Sequence, residues 1–136
     1  MAEFALHPQL AADTFFVADL QLCRVLLMND SQYPWLILVP RVAGARDLDE
    51  LGDTDAAQLT AEIRRVSSAL RACTDLYKLN VAALGNMVEQ LHIHVIARRT
   101  DDAAWPKPVW GAAPAIPYSA AALESRLAEI RRALAT

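Results

Sequence analysis

Six residues in the second half of the chain constrain its fold more than any other stretch. From Gln90 to Val95 the order is Gln-Leu-His-Ile-His-Val, polar and apolar in strict alternation. Successive side chains of a β-strand point to opposite faces, so this segment is predicted to be a strand with one apolar and one polar face. Leu91, Ile93 and Val95 predict a core face, and Gln90, His92 and His94 share the other. The chain has three histidines, and two of them stand here.

The flanking sequence supplies partners for that strand. Residues 14–19 (TFFVAD) and 22–28 (LCRVLLM) are rich in aromatic and branched side chains and read as an antiparallel pair. A dense turn cluster, NDSQYP, separates them from a buried strand over 35–39 (WLILV), stopped by Pro40. Leu59, Ile63, Val66, Leu70 and Cys73 recur at steps of four and three, the stripe of one long amphipathic helix fading near Tyr77. Asp53 is its expected N-cap, and Glu62 with Arg65 its solvent side. A further strand is expected over 79–84, ahead of the histidine strand over 90–97. Residues 105–117 (WPKPVWGAAPAIP) hold four of the seven prolines and two of the three tryptophans, which predicts an ordered loop. Ser119 caps a last helix with the stripe Leu123, Leu127, Ile130 and Leu134. Hairpin-linked strands and two helices predict an α+β fold, an antiparallel sheet of about five strands with one long helix and a C-terminal helix.

Composition narrows the classes of function. At 136 residues the chain suits a single domain spanning 1–136. Its 54% hydrophobic content is globular. A net charge of −3 without any basic run argues against nucleic acid as a partner. Cys23 and Cys73 form no CxxC pair and are expected in the core as free thiols. The N-terminus shows no leader pattern, and no apolar run approaches the ~20 residues of a membrane span. These features predict a soluble cytoplasmic protein with no membrane partner.

Three chemistries suit a pair of histidines on one strand face. Zinc would need a third protein ligand. His7 lies in a segment the sequence does not place, and Glu89 points to the opposite face, so no metal is expected. A neutral imidazole can attack phosphorus and carry a nucleotidyl group while neighbours donate hydrogen bonds to the phosphate oxygens. The plain alternative is two core histidines with satisfied hydrogen bonds.

The run GNMVEQLHIHVI resembles the signature of the histidine-triad (HIT) family of nucleotide hydrolases and transferases, whose core alternates three histidines with apolar residues. Residues 90–96 match every position except the first, where Gln90 replaces histidine. LLMND followed by PWLILVP resembles the family's nucleotide-binding strands and turn, and WPKPVWG stands where its variable C-terminal loop begins. The resemblance covers about residues 20–111. It implies that His92 is the nucleophile on an α-phosphate, that His94 binds phosphate, and that Gln90 takes the place of the first histidine. It implies phosphate or leaving-group contacts for Asn80 and Asn86, a ribose contact for Asn29 or Asp30, and a base pocket near Leu20 and Leu22.

The implied activity is nucleotidyl hydrolysis or transfer on a nucleoside phosphoester, dinucleoside polyphosphate or phosphoramidate, by a homodimer without a cofactor. Three departures point to the alternative of a catalytically weak nucleotide-binding module. Gln90 cannot become cationic. Trp35 stands where many relatives place another histidine, and Met87 where some place a hydroxyl.

Overall fold

The computed structural model describes residues 3–135. A short helix, α1 (Pro8–Asp13), leads into the hairpin of β1 (Thr14–Asp19) and β2 (Cys23–Met28). Strand β3 (Trp35–Pro40) follows, then a 3-10 turn (Leu48–Glu50) and the long helix α2 (Asp53–Cys73). Strands β4 (Lys78–Ala82) and β5 (Ile93–Arg98) and the helix α3 (Ala120–Leu134) complete the order. All neighbouring strands are antiparallel, and their spatial order is β1-β2-β3-β5-β4. The fold is the expected α+β arrangement with five strands and two long helices.

Both faces of the sheet are covered, so the middle strand β3 is a continuous apolar run. Every residue of β3 and of β5 is buried. One face carries Val25, Leu27, Leu36, Leu38, Ile93 and Val95 against Leu59, Val66 and Leu70 of α2 and Ile130 and Leu134 of α3. The other carries Leu26, Trp35, Ile37, Val39 and Ile96 under Leu10, Tyr33, Val88, Ala104 and Val109. Fully burying one such leucine or isoleucine stabilises the fold by about 1.5–3 kcal/mol. The histidine face is therefore not a bare polar face: His92 and His94 lie beside a second apolar cluster, both buried.

Several boundaries and environments differ from the sequence expectations. Helix α2 ends at Cys73, because Thr74 is extended; its N–H closes the last turn on the Leu70 carbonyl and its hydroxyl bonds the same oxygen. Gly52 is its N-cap and Asp53 its first residue. Glu62 is 2% exposed, not on the solvent side. Its carboxylate accepts the main-chain N–H groups of Leu22 and Cys23 at 2.9 and 2.7 Å, satisfying donors at the start of β2. Leu20 and Leu22 are buried in the core cluster on the helix side of the sheet. Strand β5 begins at Ile93, and Gln90 to His92 form its irregular approach.

Candidate functional site

The segment from Leu91 to Arg98 is held at both ends. The Leu91 N–H donates to the Ala45 carbonyl at 2.9 Å, which ties it to the loop after β3. At the far end Arg98 is 1% exposed, with its guanidinium bidentate on Asp102 at 2.8 and 3.0 Å and a third bond to the Lys107 carbonyl. Burial opposes ionisation of Asp102, yet the Arg98 bonds and the N–H groups of Arg99 and Trp105 outweigh it and pull its pKa down to about 2. Arg98 also lies over the rings of Tyr33 and Trp105. One buried cation thus fixes the C-terminal loop to the histidine strand.

Between those anchors the two imidazoles stand 4.9 Å apart, centroid to centroid, at 68°. His92 Nδ1 is 2.7 Å from the Gln90 carbonyl oxygen. A carbonyl only accepts, so Nδ1 carries the proton and Nε2 of the neutral ring keeps its lone pair. A recess of about 380 Å³ opens on His92, walled by Arg46, Asp47, Asp49 and the turn Ala83–Gly85. Gly85 has φ of +78°, a left-handed conformation that disfavours any side chain. An adjoining recess of about 530 Å³ shares Arg46 and is lined by His7, Asn86 and Gln90.

His94 sits among aromatic rings. The Trp35 indole Nε1–H donates to its Nδ1 at 3.0 Å. The Trp110 ring meets it nearly edge-on at 5.0 Å, and Trp35 and Trp110 touch at 5.8 Å. Burial, aided by the neighbouring His92, pushes the His94 pKa down to about 4, so the ring is neutral at pH 7.

The other residues singled out in the sequence lie elsewhere or are engaged by the protein itself. The Gln90 amide accepts from the His7 N–H at 2.8 Å and donates to the Ala5 carbonyl at 2.9 Å. Asn86 is exposed in the second recess. The Asn80 side-chain Oδ1 accepts from Arg98 at 2.8 Å. Asn29 accepts the Tyr118 N–H at 2.9 Å, and the buried Asp30 accepts the N–H groups of Gln32 and Ile116 at 3.1 and 3.3 Å. His92 and His94 stand side by side, Gln90 meets His92 through its main-chain carbonyl while its amide turns to the N-terminal segment, and Asn29 and Asp30 pin the chain ahead of α3. Sequence reasoning missed Arg46, which no spacing pattern marks. It also missed Arg98, which the period-two phase of His92 and His94 does mark.

The family model of the HIT domain matches residues 9–101. The chain belongs to the histidine-triad (HIT) family. It is similar to a histidine triad protein from Bradyrhizobium japonicum, with 47% identity and a TM-score of 0.96 over 98% of this chain and 99% of that one. A histidine triad protein from Marinobacter aquaeolei is 46% identical, with a TM-score of 0.95 over 98% of each chain. A hypothetical histidine triad nucleotide-binding protein from Sulfolobus tokodaii shares the fold at 16% identity, with a TM-score of 0.68 over 90% of this chain and 84% of that one. No curated protein matches the sequence. No helix of the described residues is long and apolar enough to cross a membrane.

Proposed function

We propose that this HIT protein is a nucleotidyl hydrolase or transferase that works through a nucleotidyl-histidine at His92. The observation that supports this reading best is the Nδ1–H bond from His92 to the Gln90 carbonyl, which puts the lone pair of the neutral ring on Nε2, in a side chain that lines an open recess. The Nε2 lone pair attacks the α-phosphorus of a nucleoside phosphoester, dinucleoside polyphosphate or phosphoramidate. The bond from phosphorus to the leaving group breaks, and the leaving group departs with that electron pair. Water then attacks the same phosphorus, the N–P bond breaks, and the mononucleotide leaves with His92 restored. In this scheme Gln90 positions His92 through its main-chain carbonyl, and Asn86 and Arg46 line the path of the leaving group. Asn29, Asp30 and Asn80 would have to give up bonds within the protein to touch a nucleotide, which speaks against direct contacts from them.

The test is a rapid quench with α-labelled adenosine and guanosine polyphosphates and an adenosine phosphoramidate. Acid-labile label on the wild-type protein, absent from a folded His92→Ala variant, is the expected outcome. Undiminished turnover in that variant would end the mechanism. One observation favours a second reading, a nucleotide-binding module with little turnover: His92 and His94 are only 6% and 5% exposed. Nucleotide binding with neither label nor product would select it.

A further inference from the structure

We propose that Trp35 is a positioning residue that locks His94 as the Nε2–H tautomer, a neutral hydrogen-bond donor beside the lone pair of His92. The tautomer lock stands on geometry alone, whereas the use of that donor toward phosphoryl oxygens rests on the function proposed above. An indole N–H can only donate. It lies 3.0 Å from His94 Nδ1, so that nitrogen must offer a lone pair. A proton on Nδ1 would set two N–H groups head to head. The single proton of the neutral ring is therefore on Nε2, and the doubly protonated cation is disfavoured by the same contact.

Trp35 cannot readily swing away. It is buried in β3, opposite Ile96 in the sheet register. Tyr33 meets its ring edge-on at 6.3 Å and Trp110 at 5.8 Å. His94 is confined equally. Its register partners are Ile37 on β3 and Ala82 on β4, and Trp110 covers it from the loop. None of these carries a charge, and the titratable group that faces it is His92. The lowered pKa of His94 agrees with a ring held neutral.

The consequence is a complementary pair of tautomers set by two different acceptor–donor partners. The Gln90 carbonyl holds the proton of His92 on Nδ1 and leaves Nε2 nucleophilic. The Trp35 indole occupies Nδ1 of His94 and leaves Nε2–H as its donor. A lone pair and an N–H thus belong to two rings 4.9 Å apart without a change of protonation state, an arrangement suited to attack on phosphorus with a donor ready for the charge that builds on oxygen.

Long-range proton–nitrogen NMR on the wild-type protein tests the lock directly. His94 should show an unprotonated Nδ1 and a protonated Nε2 at neutral pH, unchanged down to about pH 5.5. A tautomer mixture, a protonated Nδ1 or an imidazolium at about pH 6 would overturn it, without any variant. Trp35→Phe keeps the ring and removes the N–H. His94 should then show mixed tautomers, with kcat lowered about tenfold, the scale of one neutral hydrogen bond, and KM changed less. Trp35→His restores a donor and should recover part of both. A Trp35→Phe protein with the wild-type His94 spectrum and pH–rate profile would reduce Trp35 to space filling and overturn the proposal. If the wild-type protein forms no nucleotidyl-histidine, the functional reading fails, and the nitrogen spectrum still decides the lock.

Discussion

At the scale of single residues, the strongest consequence is an acid sensitivity built into His94. Its folded pKa of about 4 lies below the ordinary value of 6.5. Between those values the unfolded chain binds a proton that the folded one rejects, so stability falls as pH drops from about 6.5 toward 4. The loss amounts to about 3 kcal/mol, an order-of-magnitude figure from the size of the depression. Urea denaturation at stepwise pH should show this decline in the wild-type protein and a shallower one in His94→Asn. A stability curve that is flat over that range and identical in both proteins would contradict the assignment. Asp102 acts in the opposite sense and in a lower window. Its depressed pKa adds stability that is complete above about pH 4 and lost as pH falls toward 2.

At the scale of elements, periodicity carried most of the legible information. Strand β5 and helices α2 and α3 follow from alternation and from apolar stripes, and β1 to β3 from runs of branched and aromatic residues between turn signals, because those patterns reflect which faces are covered. The features that stayed hidden depend on contacts across long stretches of chain. Helix α1 is six residues long and has one buried side chain, Leu10, too short for a stripe. Glu62 satisfies every visible rule for a solvated helix position, yet it caps the N–H groups of a strand 39 and 40 residues away. The Gln90 amide reaches main-chain partners 83 and 85 residues away, which no local rule marks. The Glu62 contact gives a prediction at this scale. Glu62→Ala leaves the N–H groups of Leu22 and Cys23 buried without acceptors and should cost about 2–4 kcal/mol. Glu62→Gln keeps one acceptor oxygen and should cost less. Equal midpoints for wild type and Glu62→Ala in chemical denaturation would refute this account.

At the scale of the whole molecule, β4 is an edge strand of the sheet and its neighbourhood is apolar. Tyr77, Val81, Leu84 and Met87 are exposed along it and the turn that follows. An open edge with apolar side chains is a template for pairing with another strand. The homodimer implied by the family resemblance would cover it, and we propose that two copies meet there. Wild-type protein should sediment as a dimer at micromolar concentration, and Val81→Lys should shift it to monomer. A wild-type monomer would remove the proposal. The chain's three tryptophans also share one neighbourhood. Trp35 and Trp110 bracket His94, and Trp105 lies under Arg98 against Tyr77. With every indole gathered around the histidine strand and the loop that covers it, the intrinsic fluorescence of the protein is in effect a local probe. Its emission reports on protonation and occupancy of the site, with no dye attached and no background from a distant tryptophan.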